Sequence, residues 1–160
     1  MGLFSNLFAR GEPALSEATS RDAAAIAALH AVSFARGWSE QEVEGLLTDR
    51  HVIAHRAMSG RTIAGFILSR LIEDEAEILS VAVASAWRGR GLARKLLDLH
   101  MRRLAGLGAR AVFLEVDEHN AAAIRLYDRA GFREISRRPN YYPGTAGKPA
   151  AALVLRRDLV

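Results

Sequence analysis

The chain has 160 residues, half of them hydrophobic and a quarter charged, with a formal net charge of +4 and no cysteine. That length buries the core of one domain, and the lack of cysteine excludes disulfides, thiolate metal sites and a cysteine nucleophile. No apolar run approaches the roughly eighteen residues of a membrane span, so no membrane partner is expected.

Arginine carries almost all of the positive charge, Lys95 and Lys148 being the only lysines. Such a balance suits an acidic ligand or a ribonucleoprotein neighbour, and equally an arginine-rich solvated surface. Against this background "EDEAE" (Glu73 to Glu77) forms a local acidic lip. The opening "MGLFSNLFARGEP" lacks the basic n-region and cleavage site of a signal peptide, and Asn6 stands where a myristoylation signal has Ser or Thr. Residues 1–13 are expected to be a loosely ordered extension of a single domain over residues 14–160.

In chain order, "PALSEA" reads as a short strand. "TSRDAAAIAALHAVSF" follows as a helix, with Thr19 and Asp22 in capping-box spacing. "GWSEQEVEGLLTD" starts a second helix on the pair Ser39 and Glu42. The segment from Phe34 to Trp38 between them is a loop bearing two aromatics. "HVIAHRA" and "RTIAGFILSRL" are strands joined at "MSGR", and "AEILSVAVA" is a third β-like run. "GLARKLLDLHMRRLAGLGA" places apolar residues at Leu92, Leu96, Leu97, Leu104 and Leu107, a helix of about four turns. Gly106 and Gly108 close it. "RAVFLEV" is a buried strand, "NAAAIRLYDRAGF" a helix ending at Gly131, and "FREISRRP" and "AALVLRRDL" are strands around a loop "NYYPGTAGK". The order β-α-α-β-β-β-α-β-α-β-β predicts an α/β (α+β) mixed sheet flanked by helices rather than a regular doubly wound fold.

"AWRGRGLARKLL" (Ala86 to Leu97) lies between a strand and a helix. The first turn of a helix exposes amides with no intrahelical partner, and the helix dipole adds partial positive charge. Glycines let another molecule approach the backbone, and Arg88, Arg90, Arg94 and Lys95 add full charges. Together they suit a pyrophosphate. The stretch lacks the "GK[ST]" end of a P-loop and the GxGxxG of a dinucleotide fold. The arginines cluster at one turn rather than along an aromatic-bearing face, which argues against direct nucleic-acid binding. On these residues alone an arginine-rich helix cap without a ligand fits as well.

The rest of the chain breaks the tie. Arg88-Gly89-Arg90-Gly91-Leu92-Ala93 follows an Arg/Gln-x-x-Gly-x-Gly/Ala pattern, preceded by "ILSVAVA" and followed by "LEVDEHNAAAIRLYDRAGF" and "RRPNYYP". In these motifs, from about Leu15 to the C-terminus, the sequence resembles the GNAT superfamily of acetyl-CoA-dependent N-acetyltransferases. The later segments are most similar to its RimI-type branch, which modifies ribosomal proteins. The resemblance implies a mostly antiparallel sheet splayed between strands 4 and 5, acetyl-CoA as cosubstrate with no metal, and a cytoplasmic enzyme. It implies transfer to the N-terminal alanine of the eighteenth small-subunit ribosomal protein.

Acetyl transfer requires an amine without its extra proton, a stabilised oxyanion and a proton for the departing thiolate. Glu115, a carboxylate in the apolar strand "VFLEV", needs an explanation. A solvated or ion-paired Glu satisfies the pattern, and the resemblance makes it the general base. Tyr127 reads as a packing aromatic, and the resemblance makes it the general acid and a cofactor contact. Asn120 is an N-cap that the resemblance also sets beside the pantetheine arm. By the same resemblance, Val81, Ala82 and Val83 offer main-chain bonds to the cofactor. The amides of Arg88, Gly89, Arg90, Gly91, Leu92 and Ala93 hold its pyrophosphate.

Phe34, Trp38, Tyr141 and Tyr142 are candidate walls of an acceptor groove, and Glu77 is an alternative base and an acidic contact for a basic peptide. Asp117, Glu118 and His119 depart from the commoner pattern of the branch. His51 and His55, four apart on a strand, do not make a metal site. Two other readings stay open: a related enzyme acting on lysine or a small amine, and a non-catalytic CoA-binding or ribosome-associated module.

Overall fold

The computed structural model describes residues 11–142 and 149–159. The reading of residues 1–10 as a loose extension lies outside the described residues. The elements are β1 (Ala14–Glu17), α1 (Ala23–Ser33), α2 (Glu40–Thr48), β2 (Val52–Ser59), β3 (Thr62–Ile72), β4 (Glu75–Val83), α3 (Leu92–Gly106), β5 (Ala111–Asp117), α4 (Ala121–Arg129), β6 (Arg133–Tyr142) and β7 (Ala150–Asp158). Short 3-10 turns precede α1 and α3.

One seven-stranded sheet runs in the order β1-β2-β3-β4-β5-β7-β6. Every neighbouring pair is antiparallel except β4 and β5. Helices α1 and α2 cover one face, where Ile26, Leu29 and Val43 meet Ala54, Phe66, Leu68 and Ala82. Helices α3 and α4 cover the other, where Leu96, Leu97, Leu104 and Tyr127 meet Ile67, Ile78, Val112 and Leu114. The result is a three-layer α/β/α domain.

Both capping boxes form. Thr19 N–H donates to Asp22 Oδ2 at 2.8 Å; Glu42 N–H donates to Ser39 Oγ and Ser39 N–H to Glu42 Oε2, each at 3.1 Å. Such caps supply otherwise unpaired amides with acceptors and stabilise helix starts by about 1 kcal/mol each.

Two expectations need correction. Leu107 is 41 % exposed because α3 ends at Gly106, so the helical stripe no longer directs it to the core. Asn140, Tyr141 and Tyr142 are not loop but the end of β6, where Tyr142 pairs with Ala150. The register shifts between Arg138 and Tyr142, and Asn140 takes a positive φ of 58°. That irregularity lets the strand carry turn-like residues and still rejoin β7. The segment 143–148 lies outside the described residues.

Candidate active site

The site begins with an opening in the sheet. Parallel β4 and β5 pair at Glu75 with Ala111, Ala76 with Val112, and Glu77 with Phe113, and no further. A register shift against β3 leaves Leu79 as the extra residue of β4, since Leu68 faces Ser80 while Ser69 faces Ile78. A bulge bends its strand and raises the local twist, so β4 leaves β5 while staying bonded to β3. It also switches faces: Ala76 and Ile78 pack toward α3 and α4, whereas Ala82 packs toward α1 and α2.

Beyond the last rung, β4 presents a free ladder edge. Ala84 N–H donates to Ala64 O at 2.8 Å. Strand alternation then turns the backbone groups of Ala82 toward β3 as well, and those of Val81 and Val83 toward the gap. Arg88 Nε donates to the Val83 carbonyl at 3.0 Å, tying the following loop to the strand end. Of the three β4 residues singled out in the sequence, Val81 and Val83 therefore have main-chain groups facing the gap.

The loop from Arg88 to Gly91 leads into α3. Gly89 and Gly91 have φ values of 74° and 79°, and a Cβ at either would meet no atom within 4 Å. The backbone there is turned left-handed and open to a ligand. The first intrahelical bond of α3 is Lys95 N–H to Gly91 O at 3.1 Å, so the amides of Leu92, Ala93 and Arg94 precede the helical ladder. The Leu92 side chain is core, which leaves only its amide for binding. Arg90 lies over the buried Trp87 ring, 5.1 Å from its centre. An adjacent cleft of about 190 Å³ is lined by Glu12, Pro13, Trp87, Arg90, Leu92 and Lys95; Lys95 is ion-paired there with Glu12.

Glu115 and Tyr127 approach this region from opposite faces of the sheet. Leu114 and Val116 belong to the core under α3 and α4, so Glu115 between them points to the other face. Its side chain is 27 % exposed and its Oε1 lies 3.3 Å from Arg138 Nη1 of β6. Glu77, paired with Phe113, shares that face and is exposed. Tyr127 on α4 is buried edge-on against Phe132, with ring centres 5.5 Å apart. Burial raises its pKa from 10.0 to about 12, so it stays protonated across the neutral range. Asn120 Oδ1 caps α4 by accepting from Ala123 N–H at 3.2 Å.

The acidic turn before α4 has a structural use. Asp117 Oδ1 accepts from His119 N–H at 2.8 Å, while Glu118 accepts from Ala151 N–H at 3.0 Å and pairs with Arg137 at 3.1 Å. Phe34 and Trp38 bracket the connection between α1 and α2, Phe34 being 40 % exposed and Trp38 half-buried against the α1 and α2 core. Tyr141 is half exposed near the end of β6, with the Arg138 guanidinium 5.6 Å from its ring centre. Of Tyr142 only the backbone is among the described residues.

Arg138 was not legible as a site residue: it is one of many arginines, and only the β6–β7–β5 ladder sets it beside Glu115. Ser80 was equally silent. It follows the bulge on β4, with its hydroxyl buried and without a hydrogen-bond partner among the described residues.

An open β4 edge and an amide-rich glycine loop thus lie together, with the Glu115 carboxylate and the buried Tyr127 phenol on opposite faces of the sheet. Residues 23–132 match the acetyltransferase (GNAT) family. The chain belongs to that family and is an N-acetyltransferase.

Among its relatives, the [ribosomal protein bS18]-alanine N-acetyltransferase of Escherichia coli is 34 % identical over 117 residues, covering 73 % of this chain and 78 % of the relative. The enzyme of the same description from Haemophilus ducreyi is 36 % identical over 93 residues, covering 58 % of this chain and 64 % of the relative. The crystal structure of the Escherichia coli ribosomal-protein-S18-alanine N-acetyltransferase superposes with a TM-score of 0.84 at 29 % identity, covering 91 % of this chain and 93 % of that one. Arabidopsis thaliana NAA60 in complex with acetyl-CoA shares the fold, with a TM-score of 0.81 at 19 % identity over 91 % of this chain and 98 % of that one.

Proposed function

We propose that this enzyme transfers acetyl from acetyl-CoA directly to a protein α-amine, the acceptor being the N-terminal alanine of a small-subunit ribosomal protein. The observation that carries the reading is the β4–β5 gap, with Glu115 on one face, Tyr127 on the other and the Arg88–Ala93 loop beside it. The residues fit the cosubstrate. Strand groups of Val81 and Val83 suit the amides of a pantetheine arm. The amides of Gly89 to Ala93 and the guanidinium of Arg90 suit a pyrophosphate. Acetyl-CoA supplies the activated acyl group.

An α-amino group titrates near 8, so a sizeable fraction must lose a proton before attack. Glu115 takes that proton, directly or through one water. The Val81 amide, at the gap edge, donates to the developing oxyanion. Tyr127 donates from the opposite face to the departing sulfur. A phenol held near 12 is a weaker acid than an ordinary thiol near 8.5. That transfer is uphill, and it balances because the acceptor nitrogen releases its second proton as the amide forms, and that proton returns to the phenolate through water. The absence of cysteine fits direct attack in a ternary complex. The choice of ribosomal acceptor rests on the relatives above and on the motif "RRPNYYP".

The test is mass spectrometry of a peptide copying the N-terminus of that ribosomal protein, incubated with enzyme and acetyl-CoA beside an α-blocked, lysine-containing control. Acetylation of the free α-amine alone supports the reading. Modification of the blocked control alone refutes it and assigns the enzyme to lysines. CoA binding without transfer to either peptide moves the search to small amines, or to a module that binds CoA without transferring acetyl.

A further inference from the structure

The connection between α1 and α2 is pinned by one imidazole that the proposed chemistry does not use. His30 occupies the last inward position of α1 and is buried. Its Nδ1 accepts the backbone N–H of Trp38 at 3.0 Å. Its ring stacks on the Trp38 indole, with centres 4.1 Å apart and planes 10° from parallel. Phe34 tilts against the same ring at 4.5 Å, and Phe66 of β3 lies 6.4 Å beyond it. Phe66 in turn pairs with Ala82, on the stretch of β4 that has left β5. A packed line of rings thus runs from the loop surface to the strand at the gap.

A second contact seats the same loop. A Cβ at Gly37 would lie 2.9 Å from Ala31 Cα and 3.0 Å from Ala31 Cβ. Because Ala31 is helix backbone and cannot yield, the loop rests on α1 at a distance only glycine permits. Trp38 then follows Gly37 directly onto His30.

We infer that His30 is a positioning residue for the acceptor: by accepting the Trp38 amide and stacking on its indole, it holds Phe34 and Trp38 as one rigid wall of the acceptor groove. This rests on the proposed reading of that loop as an acceptor wall. The bond requires Nδ1 to be unprotonated, so His30 is the neutral Nε2–H tautomer. Burial lowers its proton affinity, with Glu42 of α2 opposing, which keeps Nδ1 an acceptor at neutral pH. A preset wall spares the acceptor the cost of ordering it, so losing the pin raises acceptor KM and leaves cofactor binding alone.

The test uses three variants of the full chain. His30→Phe keeps a flat ring and deletes the acceptor atom. His30→Asn places an amide oxygen near the Nδ1 position. Gly37→Ala leaves His30 intact and lifts the loop. Hydrogen exchange of the Trp38 amide reads the pin without any substrate. Steady-state kinetics read KM for the acceptor and for acetyl-CoA separately, using whichever amine the wild-type enzyme accepts. The expected result is loss of Trp38 amide protection and a roughly tenfold rise in acceptor KM for His30→Phe and Gly37→Ala, with CoA affinity unchanged. His30→Asn should keep the protection and stay within about threefold of wild type.

Acceptor KM unchanged in His30→Phe while Trp38 protection is lost overturns the inference, as does a matching rise in KM for acetyl-CoA. A His30→Asn variant no better than His30→Phe overturns the hydrogen-bond role. If the wild-type enzyme leaves every α-amine peptide untouched, the proposed function fails on its own, and the same variants still read His30 with the accepted amine.

Discussion

Acidification should destabilise this fold through a pair of histidines buried beneath α3. His55 Nδ1 and His100 Nδ1 are 2.7 Å apart, and His100 Nε2 lies 2.6 Å from Ser69 Oγ. One proton per ring satisfies both contacts when the two rings adopt opposite tautomers, one Nδ1 donating and the other accepting, with the Ser69 hydroxyl accepting from or donating to His100 Nε2 to match. Burial, and then the His55 charge, lower the His100 pKa from 6.5 to about 3. Above pH 6.5 the ring is neutral in both folded and unfolded chains and adds no pH dependence. Below it the unfolded chain binds a proton that the folded chain refuses. Stability then falls by up to about 1.4 kcal/mol per pH unit. Between pH 6.5 and 4.5 His100 alone removes about 2–3 kcal/mol, a large part of the 5–15 kcal/mol of an ordinary domain. His55 is lowered too, mainly by burial, with Glu17 opposing and Arg103 assisting.

The assay is urea unfolding of wild type and His100→Gln at several pH values from 7.5 to 4.5. Glutamine keeps an amide donor and acceptor but no titrating proton. Carboxylates titrate in both proteins, so the difference between the two curves isolates the imidazole. His100→Gln should be less stable at pH 7.5, and the gap should narrow by about 2–3 kcal/mol by pH 4.5. Parallel curves across that range would refute the assignment of acid lability to this pair.

Glu115→Gln should cut kcat by about 10²–10⁴-fold with CoA affinity intact; unchanged turnover at every pH from 6 to 9 would remove Glu115 as base. Tyr127→Phe should lower kcat in the same range of fold-change. Because Tyr127 stays protonated up to about pH 12, wild-type kcat should show no alkaline fall between pH 8 and 10, and a fall that vanishes in Tyr127→Phe would contradict this. Ser80→Ala removes a buried hydroxyl with no described partner. It should leave stability unchanged or raise it by about 1 kcal/mol in thermal and urea unfolding, and a loss of that size would reveal a partner. Gly91→Ala forces a Cβ into the left-handed region at a cost of about 1–2 kcal/mol. It should also weaken CoA binding by calorimetry, and undiminished affinity would move the pyrophosphate elsewhere.

Local chemistry wrote much of this protein into its sequence. The capping boxes at Thr19 and Ser39, the glycine turns and the apolar periods of α3 and β5 act within a few residues of one another, so their pattern is visible along the chain. The same holds for the Arg88–Ala93 loop, whose helix start and paired glycines are contiguous. The exposure of Leu107 and the strand at Asn140–Tyr142 are not visible locally, because a helix end and a distant β-ladder partner decide them.

The gap at the centre of the site was settled by tertiary structure. Whether β4 continues beside β5 depends on the extra residue Leu79 against β3 and on where the parallel ladder stops. Long-range packing likewise sets Glu115 and Tyr127 on opposite faces of the sheet and Arg138 3.3 Å from Glu115. It also stacks His30 on Trp38 and joins His55 to His100. A side chain's type is a property of its position in the chain. Its partner depends on which strands and helices are neighbours, and only packing the whole domain selects them.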